Sequence, residues 1–371
     1  MKLEDFDYSL PAELVAQHPA PRRADSRMLV VHRAAGRWED ARFRQLPDFL
    51  KPGDVLALNN SRVLPARLFG HSRGVRSQPT GKRSRHRREH LRSPIEALLA
   101  RRLDERTWEA LVRPGRKVRV GERLVFTAQQ PPAAGPAASV PVLEAEVVGR
   151  GEYGLRTLRF SEGVALEETL EKLGHVPLPP YIRRADEEDD LRRYQTVYAK
   201  HSGSVAAPTA GLHFSRTMLR ELALHGVERA EITLHVGLGT FQPIHAPVIE
   251  QHRMHAESFR VSPAAAARLN RALEERRRIV AVGTTTVRTL EHLTAGGGPI
   301  RPGRGETSLF ILPGFRFRAV GALLTNFHLP QTTLLMLVAA FGGRELVLAA
   351  YRHAVEQRYR FYSYGDCMLI L

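Results

Sequence analysis

The chain has 371 residues, 43% hydrophobic and 25% charged, which is ordinary for a globular protein and long enough for two domains with a sizeable core. Lysine and arginine number 55 against 39 aspartates and glutamates, a formal net charge of +16 that suggests a polyanionic partner such as nucleic acid. The single cysteine, Cys367, excludes an internal disulfide and a thiolate metal cluster, and predicts a reducing compartment.

The sequence contains no predicted targeting or membrane segment. Residues 1–7 include acidic side chains and no apolar run, so we predict no signal peptide. The longest apolar stretch, residues 334–341, is far too short to span a bilayer. We therefore predict a cytoplasmic protein with no membrane contact.

The first part of the chain has strand and helix signals typical of an α/β fold. Residues 8–17 predict a helix, and residues 28–31 and 55–58 predict short buried strands. The second strand continues directly into the polar residues 59–62. The carboxyl ends of strands are where α/β proteins place ligands.

Only strand signals follow until about residue 159. The predicted strands are residues 95–103, 107–112, 117–120, 123–126, 143–148 and 155–160. Short strands separated by turn signals predict a barrel or sandwich. The predicted fold is thus an α/β domain with a mixed or parallel sheet, formed by residues 1–65 and 160–371 and interrupted by a small all-β, barrel-like domain at 66–159.

Two features of the inserted region resemble functional motifs. The loop 72–93 contains a basic run at 82–88, which could follow a phosphate backbone, although a solvated loop is the favoured interpretation. Residues 149–154 match the dinucleotide-binding pattern G-x-G-x-x-G. Because residues 155–160 alternate like a strand rather than a helix, we interpret these glycines as a hairpin turn.

Residues 203–214 form a stretch of small side chains in which His213 is the titratable group. Small residues such as Gly203 and Gly211 allow the backbone to approach a ligand closely. Ser215 is a good N-cap for a helix at 216–225, and the N-terminus of a helix favours anions. A ligand-binding loop and a tight structural turn are both compatible with this pattern.

Three later segments share one construction. Predicted strands at 229–236, 279–282 and 320–324 are each followed by glycine, hydroxyl, amide or imidazole groups, at 237–243, 283–286 and 325–330. Strand ends of this kind are expected to converge on one face of a parallel or mixed sheet.

Histidines and one glutamate are the candidates for proton transfer near these strand ends. They are His213, His235, His328 and the cluster His252, His255 and Glu257. His252 and His255 have a spacing that zinc sites use, but no third ligand is evident, so hydrogen bonding is favoured over metal binding. Buried histidine or glutamate can act as a general base, and a packed or surface imidazole is an equally good interpretation of any one of them. No nucleophile for covalent catalysis is evident.

The sequence as a whole closely resembles one family, the S-adenosylmethionine:tRNA ribosyltransferase-isomerases of queuosine biosynthesis. The resemblance covers nearly the whole chain. It rests on long ordered blocks at residues 6–14, 26–27, 60–67, 177–183, 194–198, 203–214, 235–241, 254–257, 283–290, 325–330 and 359–366.

This resemblance implies an α/β domain interrupted by a β-barrel, and it implies a reaction. The ribosyl part of S-adenosylmethionine is transferred to the aminomethyl group of 7-aminomethyl-7-deazaguanine at the wobble position of tRNA. It is isomerised to an epoxycyclopentane, with release of adenine and methionine. S-adenosylmethionine is then a co-substrate, no metal is expected, and the partner is a tRNA with a queuosine-type anticodon, with no stable protein partner.

The resemblance and the chemistry together suggest site residues, which we group by role. The candidates for proton transfer are His213, His235, His255 and Glu257. The candidates for binding S-adenosylmethionine are Gly211, Gly237, Gly239, Thr284, Thr285, Asn326, His328 and, for its cation, Asp366 with the aromatic residues near it. The candidates for contacting tRNA are Arg183, Arg288 and Arg360.

Two alternative functions remain open from the sequence. One is an inactive tRNA-binding protein on the same scaffold, suggested by the basic loop and by Asn60, where the family more often has an aspartate. The other is an S-adenosylmethionine-dependent methyltransferase, which is disfavoured because no glycine fingerprint lies on a strand-to-helix turn.

Overall fold

The computed structural model describes residues 1–75, 94–127, 142–152, 154–237 and 249–371. Most of the basic loop 72–93 and Gly239 therefore lie outside the described residues. The chain divides into two compact units. One comprises Met1–Arg62, Pro179–Ala185 and Arg192–Leu371, and the other comprises Val63–Leu178 and Asp186–Leu191. The predicted domain bounds at 65/66 and 159/160 stay a prediction.

The strands are β1 (Arg27–His32), β2 (Arg37–Arg42), β3 (Val55–Asn59), β4 (Ser61–Val63), β5 (Arg67–Val75), β6 (Ile95–Arg102), β7 (Thr107–Arg113), β8 (Glu122–Thr127), β9 (Val142–Arg150), β10 (Leu155–Phe160), β11 (His201–Ser204), β12 (Glu228–Leu234), β13 (Glu257–Val261), β14 (Ile279–Val282), β15 (Gly303–Thr307), β16 (Ala322–Asn326) and β17 (Cys367–Ile370). The α-helices are α1 (Leu46–Phe49), α2 (Leu166–Leu173), α3 (Glu188–Arg193), α4 (Arg216–Leu224), α5 (Pro263–Glu274), α6 (Thr284–Thr294), α7 (Thr333–Gly342) and α8 (Arg344–Glu356).

The larger unit is built on a nine-stranded mixed sheet with the order β15-β13-β12-β3-β14-β16-β17-β1-β2. Its centre is parallel, since β12, β3, β14 and β16 pair in one direction, while β13, β15 and β2 are antiparallel to their neighbours. The predicted α/β class with a mixed sheet is confirmed.

Hydrophobic layers cover both faces of this sheet. In β1, Leu29 and Val31 belong to one buried cluster, whereas Met28 and Val30 belong to another. Successive side chains of a strand point to opposite faces, so the uninterrupted apolar sequence of β1 is what a strand covered on both sides requires. Over the described residues no single helix has the length and apolarity to cross a membrane, and α7 and α8 meet that requirement only as a pair bent by 115°.

The smaller unit contains a closed barrel with the strand order β10-β7-β6-β5-β8-β9. Buried residues alternate with more exposed residues along its strands, so that one face of the sheet fills the barrel interior. In β6, Ile95, Ala97 and Leu99 are fully buried, while the residues between them are partly exposed. The strands β9 and β10 pair antiparallel up to Gly149 and Arg150, as the hairpin interpretation predicted. The expected strand at 117–120 is wrong: the segment is a turn, where the Val118 carbonyl accepts a hydrogen bond from the Arg156 side chain.

The predicted helix at residues 8–17 is also wrong. Only a 3-10 turn, Ala12–Leu14, forms there. The following residues are extended, because the Ala16 N–H donates to the Phe361 carbonyl and the Phe361 N–H donates to the Leu14 carbonyl. Distant backbone partners thus replace the hydrogen bonds that a helix would have made.

Candidate active site

A cavity lies at the carboxyl ends of the parallel strands. Val236 follows β12, Gly283 follows β14, and Asn326 ends β16, so the predicted convergence of these strand ends is confirmed. The cavity encloses about 510 Å³ when the open solvent at its mouth is included. Its described lining consists of Tyr181, Ala207, Pro208, Thr209, Ala210, Val236, Gly283, Thr284, Thr285, Thr325, Asn326, Phe327, His328, Leu334, Tyr362 and Ser363.

The N-terminus of α6 forms one wall of the cavity. Gly283 is the N-cap and has a φ of 89°, a conformation that glycine adopts without strain. Thr284 and Thr285, both predicted to bind the co-substrate, are buried in the first turn. The backbone N–H groups of a first helical turn have no partners within the helix, so this wall favours an anionic or electron-rich group.

His328, which also lines the cavity, is held by both its backbone and its side chain. Its N–H donates to the Tyr351 hydroxyl at 3.1 Å, and its carbonyl accepts a hydrogen bond from the Tyr8 hydroxyl. The ring Nε2 lies 2.8 Å from Thr325 Oγ1, whose hydroxyl is 3.3 Å from the Asn326 carbonyl oxygen. We assign the Thr325 hydrogen to that carbonyl, so Nε2–H donates to Oγ1 and the lone pair resides on Nδ1.

His213 does not line this cavity but contacts a residue that does. Its ring is buried, with Nδ1 2.9 Å from Ser26 Oγ and Nε2 3.3 Å from Asn326 Nδ2. The Phe43 ring packs beside it at 5.3 Å between centroids. The structure thus brings together two residues that the sequence analysis assigned to different roles.

The two buried imidazoles predict how stability changes with pH. Burial lowers the pKa of His328 to about 3, and burial with the nearby Arg23 lowers that of His213 to about 4. In the unfolded chain both rings titrate near pH 6.5, so below that pH the unfolded state binds more protons. We expect the unfolding free energy to decrease from about pH 6.5 to about pH 4, by up to about 1.4 kcal/mol per pH unit for each ring. Urea unfolding at several pH values should show a shallower decrease for His213→Gln, and an unchanged slope would contradict the buried neutral state.

Glu257 and Arg288 form a buried ion pair. Their side chains are 4% and 3% exposed, and Arg288 donates to Oε2 of Glu257. Oε1 of Glu257 accepts from the Gly237 N–H at 3.2 Å. Both side chains are therefore enclosed by protein. From the sequence, Arg288 was expected to contact tRNA and Glu257 to act as a base. An added Cβ on Gly237 would meet no described atom within 4 Å.

Several other predicted residues lie away from the described cavity lining. His235 packs against Gly203, where an added Cβ would be 2.8 Å from its Nδ1, and burial lowers its pKa. Gly211 packs against Tyr198, since a Cβ there would lie 2.1 Å from the phenol oxygen. His255 is exposed.

Asp366 serves as a backbone acceptor in this structure. Its two carboxylate oxygens accept hydrogen bonds from the N–H groups of Arg27 and Arg360, each at 2.8 Å. Arg360 is half-buried and also donates to the His18 carbonyl. Arg183 is exposed, and its backbone N–H donates to Oε1 of Gln17.

The aromatic residues of the cavity include Tyr362, which belongs to the segment beside Asp366 that the sequence analysis considered for the cation, and Tyr181 and Phe327, which it did not single out. Tyr181 and Tyr362 contact each other edge to face, and Phe327 lies in the same wall. Tyr362 has a φ of 73°, which is uncommon for a residue other than glycine and often marks a functional site. Its place in the aromatic segment 359–366 was the available signal.

Comparison with known proteins identifies the family. A family model described as Queuosine biosynthesis protein matches residues 3–370. The chain belongs to this family of queuosine biosynthesis proteins. Relatives named S-adenosylmethionine:tRNA ribosyltransferase-isomerase include those of Solibacter usitatus, 54% identical, and Symbiobacterium thermophilum, 51% identical, each with full coverage of both chains. A crystal structure of S-adenosylmethionine tRNA ribosyltransferase from Thermotoga maritima is 38% identical with a TM-score of 0.53, and the match covers 99% of this chain and 100% of that one.

The described side chains of this queuosine biosynthesis family member suit an organic ligand. Within the described ranges no group of three or more histidine, cysteine, aspartate or glutamate side chains is arranged to hold a metal ion. The cavity lining combines hydroxyl, amide, imidazole and aromatic groups with apolar side chains such as Val236 and Leu334. Such a lining can bind a nucleoside with an attached amino acid.

Proposed function

We propose that the protein is an S-adenosylmethionine:tRNA ribosyltransferase-isomerase whose co-substrate binds in the cavity at the strand ends. The observation that carries this proposal is that six separate blocks of the family resemblance, at residues 177–183, 203–214, 235–241, 283–290, 325–330 and 359–366, each contribute to the cavity lining. Because the substrate is a tRNA, we place the enzyme in the cytoplasm.

The proposed reaction proceeds in four steps. A base removes a proton from the carbon beside the sulfonium, which gives a neutral ylide. The sugar opens as the bond to adenine breaks, and adenine leaves with that electron pair and a proton. The amine of the modified base attacks the opened sugar. Closure of the epoxycyclopentane then breaks the bond to sulfur and releases neutral methionine.

The lining suggests where each part of S-adenosylmethionine lies. The rings of Tyr181 and Tyr362 can hold the sulfonium, since a cation over an aromatic ring is stabilised when water is excluded. The α6 N-terminus at Thr284 and Thr285 suits the carboxylate of the methionine part. In the described lining no side chain carries a full charge at neutral pH, so of the groups expected for the cation, Asp366 and the aromatic residues near it, the proposal uses the aromatic rings.

We propose His328 as the general base. Burial raises the pKa of the Tyr181 and Tyr362 phenols, so neither provides a phenolate near neutrality. Burial keeps His328 neutral, and the assigned tautomer leaves Nδ1 with a lone pair and no hydrogen-bond partner in the described part of the chain. The basicity of this imidazole in the cavity is low, because burial disfavours the imidazolium, so the candidacy of His328 rests on its unpartnered lone pair in the cavity lining.

The finer identity of the RNA substrate belongs to this proposal. We propose that it is a tRNA with a queuosine-type anticodon and that no stable protein partner is needed. Arg183 is the most suitable of the three predicted tRNA contacts, because it is exposed and lies two residues from Tyr181 in the cavity wall.

Mass spectrometry of the product tests the proposed function. The protein is incubated with S-adenosylmethionine and tRNA that carries 7-aminomethyl-7-deazaguanine, and the tRNA is digested to nucleosides. We expect epoxyqueuosine in the tRNA and equimolar free adenine and methionine. With Arg183→Ala we expect a higher KM for tRNA. A tRNA that is bound but unchanged would show instead an inactive binding protein, and S-adenosylhomocysteine would show a methyltransferase.

A further inference from the structure

Asn326 holds a buried amide oxygen without a protein partner. The residue is 2% exposed and ends β16 in the cavity wall. Its Oδ1 makes no hydrogen bond to any described residue. Several other buried side-chain atoms lack partners, but of those in the described ranges only Asn326 belongs to the cavity lining. A buried unpaired acceptor is costly, so its presence at a cavity indicates a donor on the ligand.

The neighbours of Asn326 determine which way its amide faces. Nδ2 lies 3.0 Å from the Tyr362 carbonyl oxygen. If the amide were turned over, Oδ1 would face that carbonyl, and two acceptors would repel each other. The orientation with Nδ2 toward Tyr362 and Oδ1 unpaired is therefore the stable one.

The same geometry determines the tautomer of His213. The second hydrogen of Nδ2 points to His213 Nε2 at 3.3 Å, so Nε2 must carry a lone pair. Nδ1 then carries the hydrogen and donates to Ser26 Oγ at 2.9 Å. Both ring nitrogens are engaged by protein groups, which leaves neither available to take a proton from a ligand.

We infer that Oδ1 of Asn326 accepts a hydrogen bond from an N–H or O–H group of bound S-adenosylmethionine, and that His213 is a positioning residue that holds the amide in this orientation. The inference rests on the proposed function for the identity of the ligand. It replaces the proton-transfer role expected for His213 with an indirect role through Asn326. The donor lies either on the nucleoside part, as an amino or hydroxyl group, or on the methionine part, as the ammonium group.

Affinity measurements by calorimetry test the inference with paired variants. Asn326→Ala removes the acceptor and should weaken binding of S-adenosylmethionine about 3- to 10-fold. Asn270→Ala is the matched control, because Asn270 is an asparagine outside the cavity lining. Its Nδ2 donates to the Ile300 carbonyl, and its Oδ1 accepts from the Ile300 N–H. It should leave the affinity unchanged.

Two substitutions of His213 separate positioning from proton transfer. In His213→Gln the amide oxygen can accept from Asn326 Nδ2 where Nε2 did, so we expect affinity and turnover within about 3-fold of the wild type. In His213→Ala that acceptor is lost, and affinity should decrease about as much as in Asn326→Ala. This pair also carries the test if Asn326→Ala does not fold, with thermal unfolding as the check on folding.

Two partial ligands locate the donor. 5′-Methylthioadenosine carries the nucleoside part, and S-methylmethionine carries the sulfonium with the amino acid. Weaker binding to Asn326→Ala for one of them supports the inference and assigns the donor to that part.

Three results would overturn the inference. The first is that Asn326→Ala binds S-adenosylmethionine as tightly as the wild type, and the second is that Asn270→Ala loses as much affinity as Asn326→Ala. The third is that His213→Gln loses about 100-fold or more in turnover, as expected for a proton-transfer residue. In each of them the wild type still binds and reacts, so the proposed function stands. If the wild-type protein does not bind S-adenosylmethionine at all, both the inference and the proposed function are wrong.

Discussion

His328→Gln is expected to lose about 10²- to 10⁴-fold in kcat while its affinity for S-adenosylmethionine changes little. The glutamine amide can still donate to Thr325 Oγ1 in place of Nε2, but it has no basic nitrogen in place of Nδ1. The loss should therefore appear in the chemical step, measured as single-turnover release of adenine with enzyme in excess. Because burial keeps His328 neutral, wild-type kcat/KM should also show no ionisation near pH 6.5 that belongs to this residue.

The control for this prediction is another histidine. His225 follows α4 on the surface and is exposed, so His225→Gln should react at the wild-type rate. Thr325→Val removes the acceptor that determines the tautomer and should show an intermediate loss. Turnover by His328→Gln within a few-fold of wild type would show that a different group removes the proton.

Glu257→Ala is expected to lower the free energy of unfolding by about 3–5 kcal/mol, because it leaves the buried Arg288 guanidinium without its counter-ion. Arg288 Nε and Nη1 already lack partners in the described residues, so the carboxylate is its principal compensation. Urea unfolding of wild type and variant measures this difference directly.

Two further variants distinguish a structural pair from a catalytic carboxylate. Glu257→Met combined with Arg288→Met removes both charges and should recover most of the lost stability, since well-packed apolar residues often replace a buried ion pair without loss. Wild-type stability with no turnover in Glu257→Ala would instead support the role as a base that the sequence suggested.

The sequence predicted the layout of the cavity because strand ends can be located from residue types. Gly283 and the threonines after it follow an apolar run, and Asn326 follows another, so their meeting at one edge follows from parallel pairing. The alternation of β6 and its neighbours likewise predicted a barrel or a sandwich, and the family resemblance favoured the barrel that forms. The helix expected at 8–17 does not form, because this segment makes its backbone hydrogen bonds with Phe361, which is more than 300 residues away. A local sequence pattern cannot show such a distant partner.

Individual roles could not be derived in the same way, since they depend on which groups cover each side chain. Nothing in the residues around Arg288 shows that Glu257 pairs with it in the interior. The contact between His213 and Asn326 joins positions 113 apart, and it determines both the tautomer of one and the orientation of the other. His213 and His328 are the same residue type, and their hydrogen bonds distinguish them. Both ring nitrogens of His213 are engaged by protein groups, whereas only Nε2 of His328 is.

A crystal structure of the protein with S-adenosylhomocysteine, which lacks the reactive sulfonium, tests the central claim most directly. We expect the ligand in the cavity lined by Thr284, Asn326 and His328, with its sulfur against the Tyr181 and Tyr362 rings and a donor within hydrogen-bonding distance of Asn326 Oδ1. A ligand bound elsewhere on the protein, with these strand ends still free, would contradict the account.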